Sequence, residues 1–583
     1  MYIRTVKVPS SNGSVNEYVR VVEAYREHGK VKQRVIADLG RKDFLLPLLP
    51  QLQRVLLGEP AVPGEDPNAI DVVDASTWGP VLVVRALFAQ LGLWEIFDRL
   101  LPPAKKGVAA TDRVFVLLAN RLVRPTSEHG LARWLETDFV CDRQGRRFVP
   151  HWQQHHRVQV HPRQLDAWYR TLDRLVKVKD QLEVALFQRL RDLFSLQPDL
   201  VLFDITSTYF EGSGPQAFAR HGYSRDGKAQ NVQVVVGLVM VGGWPIAHYV
   251  WQGNRLDVTT VQEVVGDLTT RFAFARIVFV GDRGMVSAAN LEALTQDSHG
   301  YLVGLKRRRN AQVDAWLQRI DEAAWLDCPG GITAREKKQN PPRTRVQEVK
   351  TEDEAQRVFV IDSDERRQYE VSKRMQAMER TRVKLQRLQQ RVARGELTDP
   401  AQIGAAATRA LQSHQGYRYF AWELRAGALV FFDHPVHLER EQRLEGRYVV
   451  ATSEKNLTAL EAVAWYKQLT EVERSFRRLK DVLAVRPLYH RVEPRVRGHI
   501  FVAALALLLQ MLLQRRLDEA AVGLSAEQAM QAVETIRHVT FQVKEETRSG
   551  VSAKNPRARQ VLNALKITDL RPPGPPAGET TVM

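Results

Sequence analysis

Three strand-like runs in close succession set the tightest limit on what this chain can fold into. Residues 198–210, 232–240 and 244–251 are apolar and rich in β-branched side chains, and Val241-Gly-Gly-Trp244 supplies a tight turn between the last two. The period then changes: 258–272 reads as a helix, 277–281 as a strand, 287–294 as a helix and 301–305 as a strand. Strands that alternate with helices in this way bury a mixed sheet between helical layers.

The order β-β-β-α-β-α-β matches the first part of a ribonuclease H fold. One helix is still missing from it, and residues 466–483 can supply that helix after a long insertion. The expected architecture is a multidomain α/β chain. A ribonuclease H-like mixed sheet with flanking helices is interrupted before its last helix, and an N-terminal β-hairpin unit and an all-helical domain precede it. The expected divisions are a small β unit at 1–57, a Pro/Gly-containing linker at 58–76 and a helical domain at 77–197. The first part of the core follows at 198–305, an insertion with a basic helix and strands at 306–450, and the last part of the core at 451–540. A C-terminal segment, 541–583, ends in a Pro/Gly tail expected to be disordered.

Acidic residues sit at telling places in this frame. Asp204 ends the apolar run Val201-Leu202-Phe203, and Asp282 ends Ile277-Val278-Phe279-Val280-Gly281. Glu473 lies in the predicted helix. With ~100° per residue, Trp465, Leu469, Val472, Phe476, Leu479 and Leu483 form one apolar stripe, and Glu473 falls roughly 80° from its centre with Tyr466, Arg477 and Lys480 on the same shoulder. Glu471 falls about 120° away on the other side, nearer solvent. Two acids at neighbouring strand ends and a third from a helix can hold a pair of divalent cations, an arrangement suited to cutting phosphodiester bonds.

The charge balance agrees. A formal net charge of +17 implies a polyanionic partner, most often nucleic acid. Two segments concentrate it: 373–394 holds eight Lys/Arg against Glu379, and 474–497 holds eight against Asp481 and Glu493. Both are expected to touch phosphate. The two cysteines, Cys141 and Cys328, make neither a zinc knuckle nor a disulfide framework, which fits a reducing cytoplasm. The start is not a signal peptide, and the apolar run 500–513, too short to span a bilayer, reads as a buried helix, so no membrane role is expected. His151, His155 and His156 have helix-like ligand spacing without a completing cysteine or acid, and Gly212-Ser-Gly-Pro has no nucleotide-binding pattern.

These residues resemble the DDE transposases of bacterial insertion sequences, specifically the insertion-sequence-four superfamily with its Tyr-x2-Arg-x3-Glu-x6-Lys signature. Tyr466, Glu473 and Lys480 stand at the required positions, and Leu469 stands where the family has arginine. The segments Asp204-Ile-Thr-Ser-Thr-Tyr-Phe, His221-Gly-Tyr-Ser-Arg-Asp-Gly, Gly253-Asn-Arg-Leu-Asp257, Gly281-Asp-Arg-Gly-Met285 and Arg486-Pro-Leu-Tyr-His490 are similar to the same family, so the likeness spans most of 15–565. The resemblance implies a DNA transposase that cleaves the ends of an insertion sequence and joins them to target DNA. Asp204, Asp282 and Glu473 would bind two Mg²⁺, with Mn²⁺ able to substitute. Tyr466 and Lys480 would hold DNA near the cut, joined by Arg486, while Arg474 or Arg477 would compensate for Leu469. The helical domain is then the expected reader of the element's ends. The partners are double-stranded DNA and a second copy of the chain on paired ends, and the site of action is the bacterial cytoplasm and nucleoid. Two alternatives share these residues: an inactive DNA-binding relic, and a ribonuclease H-like nuclease without strand transfer.

Overall fold

The computed structural model describes residues 1–9, 15–58, 70–103, 107–148, 162–285, 287–308, 310–329, 342–352, 355–543 and 546–574. The chain divides into two compact units. The first comprises Met1–Ser76 with Arg537–Ala553, and the second Thr77–Ile536 with Lys554–Met583.

In the first unit, β1 (Tyr2–Pro9), β2 (Val15–Glu27) and β3 (Lys30–Arg41) form an antiparallel sheet. The expected N-terminal β-hairpin is its β2–β3 pair, turning at His28-Gly29, where both residues have positive φ. Many of its cations are spent internally: Arg20 pairs with Asp38, Arg34 with Glu23, Lys32 with Glu27 and Lys42 with Glu17. Of the stretch read as a linker, 59–69 lies outside the described residues. The rest enters β4 (Ile70–Thr77), which joins strands Arg537–Val543 and Glu546–Val551 in a second three-stranded sheet.

The second unit begins with the expected helices, with two breaks that the apolar periodicity did not show. Gly92, at φ 64°, separates Gly79–Gln90 from Leu93–Leu100, and Val178 separates Pro162–Lys177 from Lys179–Phe194. These helices pack with Glu493–Glu519, which contains the run at 500–513. That run was read as too short for a bilayer, but polar ends lengthen the helix to 27 residues. Its most apolar window has mean hydropathy 1.9 and is 83% buried inside the fold. It is the central core helix of the helical layer.

The sheet follows in the expected order, with β5 (Leu200–Tyr209), β6 (Gln233–Val241), β7 (Trp244–Gln252), β8 (Val278–Gly281) and β9 (Gly300–Gly304). The insertion adds β10 (Leu326–Asp327), β11 (Thr344–Val349) and β12 (Arg357–Ser363). After a long helix, Asp364–Ala393, come the hairpin β13 (Phe420–Arg425) and β14 (Ala428–Asp433), and then β15 (Arg447–Thr452). Nine strands make one sheet in the order β10-β11-β12-β15-β9-β8-β5-β6-β7. The ribonuclease H-like centre is parallel (β5, β8, β9), with β6 and β7 antiparallel on one side. The insertion is therefore continuous with the core, because β15 pairs antiparallel with β9 and carries β12, β11 and β10 outward. Sequence periodicity cannot show this, since the strand that joins the insertion to the core pairs far away in sequence, Val450 with Gly304.

One face of the sheet buries Val201, Phe203, Ile205 and Phe279 against helix Val261–Arg271. The opposite face of β5 is covered by helix Leu469–Arg477, whose Leu469, Val472 and Phe476 are buried and continue into buried Leu479 and Leu483. The predicted single helix 466–483 is observed as three consecutive pieces. Ala459–Lys467 and Leu469–Arg477 meet at Gln468, and a wider π-helical turn spans Arg478–Val482. Beyond the last helix, Pro556–Ala564, the start of the proline tail runs along this unit, where Leu570 O accepts from Trp78 Nε1 at 2.6 Å. Residues 575–583 lie outside the described residues.

Candidate active site

Strand register places the first two acids side by side. Leu202 of β5 pairs with Val280 of the parallel β8. Asp204 and Asp282 each lie two residues further on, and a two-residue step returns a side chain to the same face. Asp282 leaves the end of its strand, as expected. Asp204 sits mid-strand instead, because β5 runs on to Tyr209 and pairs with β6 throughout, Asp204 opposite Leu238. Its face is the one covered by helix Leu469–Arg477, and Glu473 stands exposed on the shoulder of that helix while Val472 and Phe476 anchor it. Glu471 points away and pairs with Arg474.

The three acids form the junction of two cavities of about 550 Å³ each, both lined by Asp204, Asp282 and Glu473. The first continues past Tyr466, Lys467, Leu469, Tyr448, Arg366 and Tyr369. The second continues past Arg225, Asp226, Asp257, Arg477, Lys480 and Arg486. Burial pushes the Asp204 carboxyl up to about 7, against the pull of the Ile205 N–H, and the negative charges of Asp282 and Glu473 add to the rise. That N–H donates to Asp204 Oδ1 at 2.8 Å. A buried Asp204 carboxyl that resists ionisation beside two further carboxylates lacks a positive charge close by, and all the donors are hard oxygens, the set that divalent Mg²⁺ or Mn²⁺ prefers.

Tyr466 is held at the mouth of the first cavity. Its hydroxyl lies 3.4 Å from Asp282 Oδ1, and it presses so closely on β9 that a Cβ at Gly304 would stand 2.2 Å from that oxygen. Leu469 is 8% exposed, a member of the core stripe that also lines this cavity. Lys480 and Arg486 meet in the second cavity on Asp226. Lys480 Nζ donates to Asp226 Oδ1 at 2.7 Å, Arg486 pairs with the same oxygen, and Arg486 Nη2 also reaches Asp481 at 2.7 Å. Lys480 is only 10% exposed there, and burial lowers its pKa against the opposing pull of Asp226. Arg477 lines the same cavity, whereas Arg474 lines neither.

Three participants had no assigned role in the sequence. Asp226, Arg225 and Asp257 lie in family-like segments, but their partners are remote: Asp226 meets Lys480 across 254 positions, and Arg225 Nη2 donates to Asp257 Oδ2 at 2.7 Å across 32. Behind the site, buried Arg121 of the helical region donates to the carbonyls of Leu483 (3.3 Å) and Ala484 (3.1 Å), fixing the end of the helix that bears Glu473. Glu128, His490 and His499 cluster beside it with ligand atoms within 4.8 Å of one another. The Arg121 guanidinium lies 3.4 Å from His499 Nδ1, so a cation already occupies this neighbourhood and the cluster reads as a buried structural network rather than a metal centre. The histidines at 151, 155 and 156 lie outside the described residues.

Comparison with known proteins covers the region that contains these residues. The family model "Transposase DDE domain" matches residues 196–509, and the N-terminal domain of IS1634 family transposases matches residues 3–59. No curated protein matches the chain. Among solved structures, a piggyBac transposase synaptic complex with hairpin DNA is similar at 10% identity and TM-score 0.35, covering 79% of this chain and 82% of that one.

Proposed function

The chain belongs to the DDE-domain transposases, and we propose that Asp204, Asp282 and Glu473 are its catalytic triad, cutting the ends of a mobile element and joining them to target DNA. The observation that supports this most is the level register of Asp204 and Asp282 with Glu473 facing them at the meeting point of two cavities. Divalent dependence comes with the family, and Mg²⁺ is the ion proposed. Asp204, Asp282 and Glu473 would hold such ions, whose charge would serve to polarise the scissile phosphate, activate the attacking oxygen and stabilise the leaving one.

The chain's own groups supply the rest. The Ile205 N–H fixes Asp204 Oδ1, and the Tyr466 hydroxyl restrains Asp282. The DNA backbone runs from one cavity to the other across the acids. Arg366 and Lys467 meet phosphates on the first side, and Arg225, Arg477, Lys480 and Arg486 on the second. The same acids serve twice: water attacks in the first cleavage, and the freed 3′-hydroxyl attacks target DNA in the joining step. A dimer on paired ends, working on chromosomal DNA in the cytoplasm, completes the proposal.

Cleavage of a duplex carrying the element's end in Mg²⁺ tests it. Asp282→Asn should bind that duplex and leave it intact, and cutting by this variant at the wild-type rate would remove Asp282 from the site. Sedimentation on paired ends tests the dimer, and a persistent monomer there counts against it.

A further inference from the structure

The long helix of the insertion, Asp364–Ala393, begins at the active site and ends far from it. Arg366 and Tyr369, in its first two turns, line the first cavity with the catalytic acids. Its inner face packs Met378, Leu385 and Leu388 against helix Pro400–Gln412 and the β13–β14 hairpin.

The outer face is cationic along its length. Lys373, Arg380, Lys384, Arg387, Arg391 and Arg394 are all exposed, and their spacings of seven, four, three, four and three place them within one stripe of a helix turning ~100° per residue. Tyr369 and Arg366 extend that stripe back to the cavity. Arg380, Lys384 and Arg387 have no hydrogen-bond or ion-pair partner among the described residues, while Arg391 and Arg394 share one carboxylate, Glu396, at 3.5 and 3.7 Å. In the other basic cluster Arg474, Lys480, Arg486, Arg495 and Arg497 are each paired with an acid of this chain, and its remaining cations, Arg477, Arg478 and Arg491, do not form a continuous stripe of this length. Arg380, Lys384 and Arg387, unpaired and like-charged at the middle of the stripe, repel one another and are stabilised by an external polyanion, whereas Arg366 at its start pairs with Glu370.

We infer that this outer face is a docking rail for the phosphate backbone of duplex DNA, carrying the duplex away from the catalytic cavity along the insertion. The inference rests on the reading of the chain as a transposase and adds a surface to it. At about 1.5 Å per residue the stripe from Arg366 to Arg394 is on the order of 40 Å long. At about 3.4 Å per phosphate along one strand, that length accompanies roughly a dozen base pairs. Contacts of this kind position DNA without reading bases.

The test uses the full-length protein and a random-sequence linear duplex, with affinity followed against salt by fluorescence anisotropy. The triple variant Arg380→Gln/Lys384→Gln/Arg387→Gln should bind more weakly and lose about 2–3 from the slope of log K against log salt, at roughly 0.9 per phosphate contact. A wild-type slope and affinity would overturn the rail. A second measurement leaves the charges in place. A photocrosslinker at exposed Gln376, at the edge of the stripe, should capture the duplex, and one at exposed Gln386, about 120° from the stripe's centre, should not. Equal capture at both positions, or none at Gln376, also overturns it. Mg²⁺-dependent cleavage of an element-end duplex by the same wild-type preparation, with Glu473→Gln as the blank, separates the two ideas. Cleavage with an unchanged slope defeats the rail alone, and a reduced slope without cleavage defeats the catalytic reading alone.

Discussion

Asp204→Asn should stabilise the metal-free protein, although it removes a catalytic acid. The Asp204 carboxyl is raised from 3.8 to about 7, with burial as the first cause and its acidic neighbours adding to it. A folded value above the unfolded one means that stability is full below about pH 4 and is lost as pH rises through 7. At ~1.36 kcal/mol per unit, the roughly three-unit shift costs about 4 kcal/mol above pH 7 and less than half of that near pH 5. Asparagine cannot ionise, and its Oδ1 can still accept from the Ile205 N–H. In EDTA near pH 8 the variant should therefore show a higher urea midpoint for the sheet-bearing unit, with the gain falling by more than half near pH 5. Mg²⁺ should then narrow the gap, because an ion at a hundredfold excess over its Kd adds about 2.7 kcal/mol to the wild type and little to the variant. A variant that is equally stable or less stable than wild type at pH 8 without metal would refute the reasoning. It would mean that burial does not penalise the Asp204 carboxylate as described.

Asp226→Asn leaves Lys480 and Arg486 without their shared carboxylate in a largely buried place, and breaking such a set costs about 3–5 kcal/mol; chemical denaturation should show the loss, with end-DNA cleavage falling alongside. Gly304→Ala should abolish cleavage by displacing Tyr466, and adding Tyr466→Phe, which removes the oxygen 2.2 Å from the new Cβ, should restore part of the lost stability in a melting experiment. His490 is lowered from 6.5 to about 4, first by burial and then by its neighbour His499. A depressed folded value makes this contribution complete above about pH 6.5 and lost as pH falls towards 4, on the order of 3 kcal/mol; a urea midpoint independent of pH across that window would contradict it.

Much of this was legible in the sequence because the catalytic half obeys local rules. The core strands and helices appear in their expected order, since long apolar runs and a glycine turn leave few alternatives. The stripe from Leu469 to Leu483 is buried as its spacing requires, and it puts Glu473 rather than Glu471 towards the acids on the sheet. What sequence could not show depends on distant pairing. The β12–β15–β9 extension, the Asp226 partnership with Lys480 and Arg486, and the hold of Arg121 on Leu483 and Ala484 are all fixed by tertiary contacts. The π-helical turn at Arg478–Val482 was equally hidden, since its residues differ little from those of an ordinary helix end.

The central claim is that Glu473 completes the triad with Asp204 and Asp282. Its most direct test is excision in cells from a plasmid carrying the element's own flanking ends, comparing wild type with Glu473→Gln and Glu471→Gln. The account predicts that excision survives the Glu471 change and is lost with the Glu473 change. Excision that persists in Glu473→Gln, or is lost equally in both variants, would contradict it.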